Sequence, residues 1–205
     1  MNRKFAALSL VAASVLFAAS VDARTFKVQA DNHTLNEVSF TSKASVVRII
    51  GRTNKVEGFS EIDINNPSKT KAGEITVDLA SLDTGIALRN EHMVDLIEAK
   101  KYPTAVFKVK TLKAPKLVAN ETVNGTATGD FSLHGVTKAI TVPVTLHFLP
   151  EDKQNPEYRP GDWVNFSSNF NIKLSDYGIP LPKPMFGVKV ANDLAIQIDG
   201  MAKGI

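Results

Sequence analysis

Along residues 140–148 every second side chain is large and apolar. Ile140, Val142, Val144, Leu146 and Phe148 alternate with Thr141, Pro143, Thr145 and His147. Strand side chains point to opposite faces in turn, so this pattern makes a strand with one dry side and one wet side, not a helix. The same period returns in Val38 and Phe40, in Ile75, Val77 and Leu79, and in Phe107 and Val109. Val164, Phe166, Phe170, Ile172 and Leu174 face away from Asn165, Ser167, Asn169, Asn171 and Lys173, and Leu194, Ile196 and Ile198 close the series. One covered face per strand is the mark of antiparallel sheets.

Turn signals separate these strands at Asn54-Lys55, Asn65-Asn66-Pro67, Asn124-Gly125, His134-Gly135 and Ala191-Asn192-Asp193. Two longer connections, 150–162 and 178–187, are rich in proline and read as rim loops or lids. No repeat or linker divides the chain, so it reads as one mostly-β domain. Eight or so strands with short turns favour closure into a barrel, because closure removes the exposed edges. A membrane barrel would need aromatic girdles. One Trp and three Tyr are too few for two of them, so no stable membrane insertion is expected.

A single polar insert, residues 81–107, interrupts the strands. No Gly or Pro lies between Arg89 and Tyr102, and Met93, Leu96 and Ile97 recur at helical spacing. The insert therefore reads as a helix plugging one end of the barrel, stopped at Tyr102-Pro103. Arg89 and His92 share its first turns and could meet a polar head group; the plainer reading pairs Arg89 with Asp83 or Glu91 and leaves His92 packed.

Asn2, Arg3 and Lys4 precede an uncharged apolar run to Ala19, and Val21-Asp22-Ala23 fits a leader-peptidase site. Residues 1–23 are therefore expected to be a cleaved secretory signal, leaving 24–205 as a mature periplasmic domain. With no cysteine, neither a lipid anchor nor a disulfide is available. The charge is nearly balanced and no basic cluster is dense enough for a nucleic-acid footprint.

The four histidines, His33, His92, His134 and His147, are not spaced as metal ligands. A nucleophile elbow, a phosphate loop and a cysteine nucleophile are all absent from the sequence. No catalytic residue, metal or cofactor is expected. His134 reads as a turn residue bonding local backbone, and His147 as a solvated one.

Three motifs fall in order along the chain: Leu82-Asp83-Thr84-Gly85 with Arg89-Asn90-Glu91-His92-Met93 and Lys101-Tyr102-Pro103, then Leu133-His134-Gly135-Val136-Thr137-Lys138, then Asp176-Tyr177-Gly178-Ile179. They resemble the YceI family across nearly all of the mature chain. The resemblance implies a lipocalin-like antiparallel β-barrel, exported to the periplasm, with a lengthwise apolar cavity that binds isoprenoid, quinone-like or other lipid-like chains. The chain departs from the family pattern at Ala44, where a histidine is common, and at Leu174, where an arginine is common.

The expected architecture is thus all-β, an antiparallel lipocalin-like barrel closed at one end by a short α-helix. The expected tunnel is lined by Val38, Phe40, Val77, Phe107, Phe131, Val142, Val144, Phe166, Phe170 and Ile172, with Arg89 and His92 at the head group. Periodicity alone leaves open a second reading, in which these side chains fill the barrel and the protein has a structural or stress-related role. A third makes the protein an accessory that passes a quinone to a membrane redox partner. Assembly as a homodimer is also left open.

Overall fold

The computed structural model describes residues 23–28, 36–70, 72–154, 160–181 and 189–205. Residues 1–22 of the expected signal segment, His33, residues 155–159 of the first proline-rich connection and 182–187 of the second lie outside them. Ten strand segments form one antiparallel sheet: β1 (Ala23–Val28), β2 (Glu37–Lys43), β3 (Arg48–Thr53), β4 (Val56–Asp63), β5 (Gly73–Asp78), β6 (Thr104–Lys113), β7 (Thr122–Leu133), β8 (Val136–Leu149), β9 (Trp163–Lys173) and β10 (Asp193–Gly204).

The order along the sheet is β1-β4-β5-β6-β7-β8-β9-β10-β2-β3, and β1 also pairs with β10. That extra pairing closes the ring. β10 carries β1 near its end (Phe26 opposite Gly204) and β2 along its start (Val38 opposite Ile198). β1 and β2 thus run in file along one edge, and β3 and β4 run in file beside them. Counted by position around the ring, the barrel has eight strands, as closure predicts.

Register puts the large apolar residues inside. Leu146 sits opposite Phe166, Phe170 opposite Ile196, and Phe107 opposite Phe131. Both ends of the barrel are packed. At one end Phe26, Val28, Leu117, Phe148 and Val164 are buried, and the chain at Leu117 and Ala119 crosses from Ile64 to Phe148. At the other end Leu79, Leu82, Leu133, Leu174, Tyr177 and Ile179 are buried.

One α-helix, α1 (Ala87–Leu96), lies at this second end. It stops six residues before Tyr102, not at Tyr102-Pro103. Ala99 N donates to Val94 O at 2.9 Å and Glu98 N to Asp95 O at 3.1 Å, with Glu98 in the left-handed region (φ 48). This is the paired-bond ending normally built on glycine. No residue of α1 itself is buried. The turn that follows seats Ile97 and Ala99 in the core, and the 3-10 turn Leu174–Tyr177 supplies Leu174 and Tyr177 beside them.

Candidate functional site

An inward side chain of a closed barrel meets solvent only through the interior or through a gap in the wall. All ten residues expected to line a tunnel point inward by register. Val38, Val77, Phe131, Val142 and Ile172 are buried, whereas Phe40, Phe107, Val144, Phe166 and Phe170 remain partly accessible. Ile75, Ile140, Ile196 and Ile198 share that condition, each inward and each packed against the core without being sealed by it. These apolar residues are the inward side chains that the packed core leaves unsealed.

Small inward residues on β7 let the end of β6 approach closely, since a Cβ on Gly125 would fall 2.4 Å from Lys113 O and 2.8 Å from Ala114 Cβ. On β7, Gly125 lies opposite Val144 and Ala127 opposite Val142. Phe131 then meets Phe170 edge-on at 6.1 Å and Tyr177 at 5.5 Å, forming an aromatic wall toward the α1 end. Few polar groups reach inward. Ser168 is buried, but its hydroxyl donates to Pro143 O at 2.7 Å and is thereby occupied.

Arg89 and His92 stand apart from this interior. Arg89 Nε donates to Thr84 Oγ1 at 3.0 Å and its Nη2 to Thr84 O at 3.0 Å, so the guanidinium holds the loop before the helix and pairs with neither Asp83 nor Glu91 in these bonds. His92 is exposed on α1, not packed. The sequence reading missed Asn90 as the organiser of this loop. Its Oδ1 accepts from Thr84 N at 2.9 Å and Thr84 Oγ1 at 2.6 Å, and its Nδ2 donates to Asp83 Oδ1 at 2.7 Å.

The Asn90 amide, followed by the Gly85 N–H, holds the Asp83 carboxyl below its ordinary 3.8. A carboxyl lowered by folding contributes above its unfolded value, and the contribution is lost as pH falls through the folded one. In Asn90→Ala the Asp83 carboxyl is expected to titrate closer to 3.8, read by carbon NMR of the side chain. An unmoved titration would remove Asn90 as the cause.

His134 also differs from expectation. Its Nδ1 meets Tyr177 O at 3.1 Å, far along the chain, and its Nε2 meets Glu98 Oε2 at 2.9 Å. It joins the β7–β8 turn, the end of α1 and the 3-10 turn after β9. His134 and Gly135 both have positive φ (52 and 74), the two-residue hairpin geometry that matches strand twist. A Cβ at Gly135 would fall 2.7 Å from the Tyr102 ring.

On the outer wall a cleft of about 320 Å³ gathers Thr122, Thr145, His147, Asn165, Ser167, Asp199 and Met201. A serine, a histidine and an aspartate share it, but their bonds do not form a relay. His147 Nδ1 meets Thr122 Oγ1 at 3.0 Å, and Asp199 Oδ2 accepts from Gln197 at 2.7 Å. A proton relay needs the carboxylate on the imidazole nitrogen opposite the nucleophile. Among the described residues no group of His, Asp and Glu is placed to hold a metal ion, and no helix is long and apolar enough to cross a membrane.

Comparison with known proteins agrees with this architecture. A UPF0312 protein of Vibrio parahaemolyticus is 31% identical over 157 residues, covering 76% of this chain and 75% of the relative. A UPF0312 protein of Pseudomonas aeruginosa is 33% identical over 158 residues, covering 75% and 74%. Among solved structures, BcnA of Burkholderia cenocepacia superposes with a TM-score of 0.62 at 25% identity, covering 82% of this chain and 95% of that one. A polyisoprenoid binding domain from Saccharophagus degradans, implicated in plant cell wall breakdown, superposes with a TM-score of 0.64 at 17% identity, covering 88% and 98%. At that identity the likeness speaks for the fold. The YceI-like domain matches residues 12–202, and the chain belongs to that family.

Proposed function

We propose that this protein is a periplasmic carrier that holds a long apolar chain, isoprenoid, quinone-like or acyl, inside its barrel without covalent chemistry. The observation that carries the reading is the set of inward apolar side chains, Phe40, Phe107, Val144, Phe166 and Phe170 among them, that remain partly accessible although register turns them into the barrel. Burying a chain there is worth about 0.8 kcal/mol per CH₂, so affinity needs no elaborate polar site. The polyisoprenoid-binding relative of the same fold supports the ligand class. The basic, then apolar, N-terminal segment supports export. A head group at Arg89 gains no support from the hydrogen bonds, which commit that side chain to Thr84.

Native mass spectrometry of protein taken from the periplasm, followed by organic extraction, tests the reading. A stoichiometric non-covalent adduct of isoprenoid or acyl mass is the expected result. A clean apo mass, unchanged after incubation with polyprenols and quinones, would instead favour a structural barrel with no stored ligand.

A further inference from the structure

The barrel wall is incomplete along one seam. β7 pairs with β8 over its whole length, from Leu133 opposite Val136 to Thr122 opposite His147. β9 pairs with β10 over its whole length as well, from Trp163 opposite Lys203 to Lys173 opposite Asp193. Between β8 and β9, however, the ladder runs only from Leu149 opposite Trp163 to Thr145 opposite Ser167. Continued in that register, residues 139–144 and 168–173 would face one another, and they form no ladder pair. At ~3.3 Å per residue the unpaired stretch is roughly 20 Å long.

The cause is in the sequence. Pro143 is the next residue of β8 due to face β9, and it has no N–H to donate. Its carbonyl accepts from the hydroxyl of Ser168, a side-chain bond in place of a ladder bond at this position. Beyond that point the inner lips are apolar, with Ile140 and Val142 on one side and Phe170 and Ile172 on the other. The outer lips carry Thr141 and Asn171, both exposed and uncharged. Side chains fasten the far end, where Lys138 Nζ lies 3.5 Å from Asp176 Oδ1 and His134 meets Tyr177 O.

Both ends of the barrel are packed, whereas this flank is held by side chains alone. We infer that the apolar ligand enters and leaves sideways, between β8 and β9, and not through a barrel end. The inference rests on the carrier reading above and adds the route. Opening the flank breaks no ladder hydrogen bond, while opening an end would expose the buried residues that seal it. Pro143 is a positioning residue in this scheme: it keeps the wall from zipping shut.

The absence of cysteine makes the test direct. In Thr141→Cys/Asn171→Cys, a short bis-maleimide closes the seam. In the control Thr145→Cys/Ser167→Cys, it joins residues already opposite each other in the ladder. Loading of dansyl-labelled farnesol and of dansylated undecanoic acid is followed by stopped-flow fluorescence. The seam cross-link is expected to slow loading at least tenfold, while the control cross-link leaves the rate unchanged. Pro143→Thr, which returns an N–H to the strand, is expected to slow loading several-fold without any cross-link. Unchanged rates in both the cross-linked seam and Pro143→Thr would overturn the lateral route while leaving the carrier intact. If the wild-type protein takes up neither probe, the carrier reading itself fails and the route falls with it.

Discussion

Phe26→Ala is expected to remove about 3–5 kcal/mol of stability, the range for deleting a buried aromatic side chain. Phe26 is wholly enclosed, at 0% exposure, and sits on the strand that closes the ring. Its ring leaves a cavity bounded by strand backbone on both sides, with Ser60 opposite on β4 and Gly204 opposite on β10. Strands held by two ladders relax poorly into such a void, which places the cost toward the upper part of the range. Since domains are stable by only about 5–15 kcal/mol, the loss is a large share of the whole. Urea denaturation checks it. A shift below about 1 kcal/mol would show that the β1 end is not part of the cooperative core.

Val144→Trp is expected to abolish binding of dansylated undecanoic acid, with at least a hundredfold loss, while the barrel stays folded. Val144 points inward opposite Gly125 and is only partly buried, so on the carrier reading an indole placed there lies along the path of the ligand. It competes for the volume that a ligand chain would occupy. Overpacking a filled core instead costs about 1–3 kcal/mol in strain. Binding titration and thermal unfolding on the same sample separate the outcomes. Lost binding with a preserved melting temperature locates the ligand in the barrel. A protein that unfolds, or that binds as before, would remove the interior as the site.

How much of this was legible in the sequence depended on whether an element buries large side chains. β8 and β9 were plain because Val142, Leu146, Phe166 and Ile172 are bulky and strictly alternate. β7 was hidden, since its inward positions include Gly125, Ala127 and Gly129, and Asn124-Gly125 read as a turn although it lies mid-strand. Glycine is needed there on packing grounds. A Cβ on Gly129 would fall 2.1 Å from Lys108 O on the neighbouring strand. Alternation counts apolar bulk and is blind to a strand chosen for smallness. The ending of α1 was hidden for a related reason: its left-handed residue is Glu98, not glycine, and no sequence rule reserves that position for an acid.

The candidate site divides in the same way. That the ten residues share one face followed from parity, and register puts that face inward. Contacts made by distant parts of the chain could not follow from local spacing. His134 reaches Glu98 and Tyr177, and Asn90, which the sequence did not single out, organises the loop before α1. The seam was likewise invisible. Pro143 stood in full view inside the alternating run, but which neighbouring strand its missing N–H would face is a property of the closed barrel.

The first strand lies between β4 and the last strand, with Phe26 opposite both Ser60 and Gly204. The ring therefore cannot close until the final residues of the chain are available. Such long-range pairing makes folding slow, since the entropy of a very large loop must be lost before its contacts form. A chain threaded through a translocation pore from its N-terminus would meet its own closing strand last. Delay of this kind would keep an exported polypeptide pliable during passage. It also leaves the edges of β1, β2 and β9 open meanwhile, and those edges are where misassembly between nascent copies would begin.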